Sequence, residues 1–283
     1  MSVFERFEKL DRRWIFGFQI LVFVFAILRP VGLALEVGDT TRKAFELIDS
    51  LPPGSIVWFG VDYEPANRAE VEASAIAILR HCMKKDLRIV SGSMWAPGGT
   101  MMDSLLKTVG QEFEGKEYGV DFLNLGYRPG GQVFLQKLTE NLPDAVLGID
   151  HHGDPISQYP LAGELDTIQD VSAIVALAIG EPGFREYIKI VTDRYKVPLI
   201  AVLPAVSVPE AMPMVNSGQL AGMLGSLRGG AEYEKVSDNP GKALTGMDAQ
   251  SFMNLTILVF IALGNIGYFV RKKGANAGKG GGI

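Results

Sequence analysis

Between Thr40 and about Val236 the chain alternates nearly unbroken apolar runs with stretches whose apolar positions recur at helical spacing. SIVWFGVDY (Ser55 to Tyr63) follows the turn signal LPPG and predicts a buried strand, and NRAEVEASAIAILRHCMKK (Asn67 to Lys85) predicts an amphipathic helix. The alternation continues with a strand at LRIVSGSMW (Leu87 to Trp95), a helix at TMMDSLLKTVGQEF (Thr100 to Phe113), a strand at VDFLNLGY (Val120 to Tyr127) and a helix at GGQVFLQKLTENL (Gly130 to Leu142). The second half repeats it: strand VSAIVALAIG (Val171 to Gly180), helix PGFREYIKIVTDRY (Pro182 to Tyr195) with proline at its start, and strand VPLIAVLPAV (Val197 to Val206). Strands apolar on both faces, alternating with amphipathic helices, predict a parallel sheet covered on both sides. The expected fold class is α/β, a Rossmann-like three-layer sandwich of about five mostly parallel strands, without a second soluble domain.

The apolar content is concentrated further at the two ends. WIFGFQILVFVFAIL (Trp14 to Leu28), continuing through Arg29 and Pro30 into VGLAL, and FMNLTILVFIALGNIGYFV (Phe252 to Val270) are candidate spans, because a bilayer core needs about 20 residues of helix. The first reads as an uncleaved anchor over 14–35 rather than a signal peptide, since its apolar stretch is long and bulky and no A-x-A site follows. Arg6, Lys9, Arg12 and Arg13 precede the first span, and Arg271, Lys272, Lys273 and Lys279 follow the second. This bias predicts two cytoplasmic tails, 1–13 and a Gly-rich flexible 271–283, with the 40–236 domain outside the cell membrane and 237–251 as a linker.

Composition narrows the class. A formal net charge of -5 argues against nucleic acid as a partner. The single cysteine, Cys82, forms no internal disulfide and is expected on the buried face of its helix. The expected partners are the lipid bilayer and either further copies of the chain or other membrane subunits. Self-association is suggested by SGQLAGMLGSLRGGAEYE, where Gly218, Gly222, Ser226 and Gly230 recur every four residues. That stretch predicts the domain's last helix, packed backbone-close on the sheet or on another copy, with Arg228 and Glu232 paired at i, i+4. Asn254, Thr256 and Asn265 inside the second span are candidates for bonds between helices.

Chemistry is expected beyond the carboxyl ends of the strands, where parallel sheets bind ligands. Asp62 and Glu64 follow the first strand; Gly98 with Gly99, and Gly130 with Gly131 beside Arg128, precede helix starts and are candidate anion sites. Neither glycine pair matches a nucleotide-binding fingerprint. GIDHHGDP (Gly148 to Pro155) places Asp150, His151, His152 and Asp154 side by side, all competent to ligate a divalent metal.

The Asp-His-His run after an apolar segment resembles the signature of the DHH phosphoesterases. The resemblance implies a two-manganese site using Asp62, Glu64, Asp150 and His151, with Asp121 bridging and the metals generating the attacking hydroxide. The first motif here is sparser than the family's, and its later Gly-rich motif ending in histidine has no counterpart. A longer resemblance runs through LPPGSIVWFGVDYEP, YGVDFLNLGYRPGGQ, SGQLAGMLGSLRGGAEYE and GMDAQS, which are similar to a group of uncharacterised prokaryotic membrane proteins. It implies an α/β domain between two terminal anchors and no particular reaction. The two expected functions are thus a membrane-anchored binding or scaffold module and a metal-dependent phosphoester hydrolase.

Overall fold

The computed structural model describes residues 11–28 and 35–279, with side chains through residue 269. Most of the N-terminal tail, the 29–34 end of the first expected span and the last four positions lie outside the described residues. The chain divides into two compact units, Leu35–Leu244 and a second formed by the two ends, Met1–Ala34 with Thr245–Ile283. In chain order the elements are α1 (Arg12–Leu28), α2 (Asp39–Ser50), β1 (Ile56–Asp62), α3 (Arg68–Lys84), β2 (Arg88–Ser93), α4 (Gly98–Gly110), β3 (Phe122–Tyr127) and α5 (Gln132–Glu140). Then come β4 (Ala173–Ala178), a broken helix made of Phe184–Tyr187, a π turn Ile188–Thr192 and Asp193–Tyr195, β5 (Leu199–Leu203), α6 (Val208–Asn216), β6 (Gly222–Gly225), α7 (Ser226–Val236) and α8 (Lys242–Lys279).

The central unit is the expected α/β sandwich, with six strands in the order β3-β2-β1-β4-β5-β6. Every pairing is parallel. Alternation along each strand separates two cores. Trp58, Val90, Ile174, Ala176, Leu199 and Ala201 face one side, where Phe134 and Leu138 of α5, Tyr187 and Val191 of the broken helix, and Ala211 of α6 cover them. Val57, Phe59, Val175, Leu177, Ile200 and Val202 face the other, under Ile48 of α2, Ile78 and Cys82 of α3, Leu105 of α4 and Tyr233 of α7. Burial on both faces explains why these strands carry no polar alternation. Cys82 is fully buried as expected, and burial pushes its thiol up to about 12.

The sixth strand corrects the expected last helix. Within SGQLAGMLGSLRGGAEYE only Ser226 onward is helical. Gly218 sits in a turn at φ +80°, and Gly222 opens β6. A side chain at Gly222 would stand 2.5 Å from the Ala44 backbone nitrogen, so glycine here lets α2 lie directly on the edge strand. Ser226 turns the chain from strand to helix at φ +53°, and Gly230 lets α7 approach Ser74 of α3. The four-residue recurrence is therefore two turns, at Gly218 and Ser226, and two separate backbone-close contacts inside the domain, at Gly222 and Gly230, not one helix stripe. The expected pair holds: Arg228 Nε lies 2.7 Å from Glu232.

α7 also holds both chain connections of the domain. Glu232, almost wholly buried, accepts from Gly38 N at 3.1 Å and Thr41 Oγ1 at 2.8 Å, at the start of α2. Glu234, equally buried, accepts from Gly241 N at 3.0 Å, Ala243 N at 3.1 Å and Leu244 N at 2.8 Å, at the start of α8. A carboxylate satisfies the free N–H groups and the positive dipole end of a helix start. This cap fixes where α8 begins and shortens the linker expected at 237–251 to a few residues.

Among the described residues one helix, within Lys242–Phe269, is long and apolar enough to cross a membrane. As described, α1 has 17 residues, about 25 Å of helix, short of the roughly 30 Å core. Within the second unit the Phe18 and Phe260 rings meet edge to face at 5.9 Å, while Trp14, Phe16, Ile20, Leu21, Leu255 and Leu258 are exposed. α8 continues as helix to Lys279, past the expected end of the span at Val270.

Candidate functional site

Strand order reverses between β1 and β4, and connections leave the sheet on opposite sides there, opening a crevice at the strands' carboxyl ends. Asp62, the last residue of β1, pairs in register with Ala178, the last of β4. Its side chain is fully buried. Oδ1 accepts from Met94 N at 2.7 Å and from Ser93 Oγ at 3.3 Å, whereas Oδ2 has no hydrogen-bond partner. Burial pushes this carboxyl up to about 7; the Met94 N–H and Ser93 hydroxyl pull it down, and the Glu186 charge adds a smaller push upward.

Past Ala178, the strand partner of Asp62, lies a pocket of about 200 Å³, bordered by Ala178, Gly180, Phe184, Glu186, Ser207 and the Arg185 ion-pair group. Arg185 pairs with both Glu181 and Glu210, so its charge is spent at the rim. Glu186 is nearly buried and accepts from Gly183 N at 2.6 Å and from Gln132 Nε2 at 3.4 Å. Among the described residues no cation pairs with Glu186 or Asp62. Trp95 closes one side, with Nε1 donating to Pro182 O at 2.8 Å and its ring against Gly180. The site is thus acidic, partly apolar and short of hydrogen-bond donors.

The Asp-His-His loop does different work. Asp150 is buried and saturated: Oδ1 accepts from His152 N at 2.8 Å and Asp154 N at 2.9 Å, and Oδ2 from Tyr118 Oη at 2.8 Å and Tyr159 Oη at 3.2 Å. Burial opposes ionisation of Asp150, but these four donors outweigh it and hold the carboxyl below its ordinary range. It staples the loop. His151 Nε2 and His152 Nε2 approach Asp103 Oδ2 at 3.6 Å and 3.8 Å, and Asn124 Nδ2 donates to the other Asp103 oxygen at 2.7 Å. Asp121 precedes β3 at the opposite, amino end of the sheet, where it pairs with Lys116. Glu64 is exposed. Among the described residues no group of three or more His, Cys, Asp or Glu side chains is placed to hold a metal ion. The ligand set implied by the phosphoesterase resemblance is therefore not assembled.

The candidate anion sites are also otherwise engaged. A side chain at Gly98 would overlap Ser93 Oγ, and one at Gly99 would stand 2.4 Å from His151 Nδ1, so both glycines admit close neighbours rather than a ligand. Arg128 donates to the carbonyls of Val146 at 3.0 Å, Tyr127 at 2.8 Å and Ile149 at 2.7 Å. Gly130 and Gly131, both at positive φ, make the turn into α5, and Gly131 faces Pro182. The residues after the late strands, Gly180, Glu181 and Ser207, line the pocket, whereas Asp62 is fully buried at the end of β1 and is not part of its lining. Glu186, Gln132 and Trp95 were not foreseen; the one signal was a carboxylate beside Tyr187 on a helix that must bury a face. Compared with protein-family models, with curated proteins and with solved structures, the chain matches none of them.

Proposed function

We propose that the chain is a membrane-anchored binding module whose α/β domain holds a small ligand in the crevice between β1 and β4. The observation that carries this reading is Asp62: a fully buried carboxyl with one oxygen unpartnered, at the position where parallel sheets place ligands. An unsatisfied buried acceptor is costly unless something complements it. Anchoring rests on α8 and on the exposed apolar side chains of α1. Metal-dependent phosphoester hydrolysis finds less support, because Asp150 is saturated and no ligand cluster forms. Self-association loses its carrier too, since Gly222 and Gly230 make contacts within the domain and Gly218 and Ser226 form turns.

Native mass spectrometry of the full chain, taken from membranes into nanodiscs, tests the reading. Wild-type protein should retain a small molecule that Ser207→Trp, which fills the pocket from its half-exposed rim, does not. Equal retention by both proteins would remove the crevice from consideration.

A further inference from the structure

We infer that two copies of this chain pair inside the membrane through α8, the carboxamides of Asn254 and Asn265 each bonding to its own counterpart. The inference rests on the membrane-anchoring part of the reading above and adds the partner. α8 has two unlike faces. Phe252, Thr256, Phe260, Leu263 and Gly267 are buried or half-buried, and Phe260 meets Phe18 of α1 edge to face at 5.9 Å. Asn254 and Asn265 are exposed, on the side turned away from α1. They lie about three helical turns apart, roughly 16 Å along the axis and within about 20° of one line. Leu258 and Ile261, exposed on the same line, separate them.

Both carboxamides fall within Phe252–Val270, so a spanning α8 puts them in hydrocarbon. An unpaired amide there is costly, because no water completes its bonds. Thr256 shows the local solution: its hydroxyl donates to Phe252 O at 2.8 Å within its own helix. Neither asparagine does this, and among the described residues neither has a hydrogen-bond partner. Their stems are too short to reach the interface as lysine and arginine do. Polar side chains placed this way bond across helices. Since they face away from α1, the other helix comes from outside the chain.

The chemistry of the amide points to a second copy. A carboxamide both donates and accepts, so it complements itself. Two copies inserted in the same direction bring Asn254 to Asn254 and Asn265 to Asn265 at equal depths. A two-fold axis along the helices then satisfies both pairs at once. A different protein would have to present matching polar groups at those same two depths. Lipid acyl chains offer neither a donor nor an acceptor.

Resonance energy transfer between full chains in liposomes, labelled with donor or acceptor dye through Gly280→Cys, tests the inference as lipid is added. The otherwise wild-type chains should dimerise. Asn254→Leu combined with Asn265→Leu should need at least tenfold more protein per lipid for the same transfer, with retention in membranes unchanged, and Thr256→Val should match wild type. Independently, Ile261→Cys in native membranes should give a disulfide-linked dimer on mild oxidation, whereas Leu263→Cys, on the α1 face, should not. Monomeric wild type at every dilution overturns the inference, as does transfer undiminished in the double variant. An Ile261→Cys adduct to a different protein, with no homodimer, also overturns it. Release of the chain by alkaline carbonate removes the anchoring reading and this inference with it; a retained, monomeric chain removes this inference alone.

Discussion

Two buried titratable side chains set opposite pH responses. The folded-state pKa of Asp62 is raised from 3.8 to about 7, chiefly by burial. Its folded form holds a proton that the unfolded chain has already released between those values. Its contribution to stability is therefore fully present below about pH 4 and is lost as pH rises through about 7. Asp62→Asn should flatten that loss, raising stability at pH 8 relative to pH 5 by at most about 3 kcal/mol, the part that falls between pH 5 and about 7, read from denaturant midpoints at the two pH values. His81 runs the other way. Burial lowers its pKa from 6.5, its ring stacks on Phe45, and Nδ1 lies 2.8 Å from Tyr233 Oη. The neutral ring contributes stability above the unfolded value of 6.5, and this is lost as pH falls through the lowered folded value. His81→Phe should therefore lose less stability than wild type between pH 7 and pH 5 in the same titration.

The elements differ in how far the sequence revealed them. β1, β4 and β5 were legible because burial on both faces leaves continuous apolar runs that hardly fit another element. β6 was not: four residues, two of them glycine, show no strand pattern, and their spacing imitates a helix stripe until Ala44 is seen lying across Gly222. The same limit applies to the site. Asp62 was legible as a polar residue closing an apolar strand, whereas Glu186 acquires meaning only when the broken helix packs on β1. Asp150 looked like a ligand because an aspartate that staples a turn and one that binds a metal have the same local sequence. At this scale α7 makes the clearest prediction. Glu234→Ala removes the acceptor for three N–H groups at the start of α8. The cost should be about 3 kcal/mol, as for a buried charge-assisted cap, with faster amide exchange at Gly241, Ala243 and Leu244. Glu234→Gln, which keeps one acceptor oxygen, should recover part of it.

For the whole molecule the open quantity is the number of spans, and it has a parity argument. With α8 crossing alone, the two tails lie on opposite faces of the bilayer. If α1 also crosses, they return to the same face. The domain's own connections favour the second arrangement, because its incoming and outgoing segments are gripped by neighbouring carboxylates on one helix, Glu232 and Glu234. Such a domain fits between two spans as an insertion with adjacent ends. The basic flanks, Arg12 and Arg13 on one side and Arg271 to Lys273 on the other, favour cytoplasmic placement for both tails. The chain suits cysteine labelling, since its one native thiol, Cys82, is fully buried and pushed up to about 12, leaving little background reactivity. Ser2→Cys and Gly280→Cys should both resist a membrane-impermeant maleimide on intact cells and react after permeabilisation, while Glu164→Cys, on the exposed surface of the domain, should react before it. Labelling of one tail alone on intact cells would mean a single crossing, and would leave α1 as a helix that does not span.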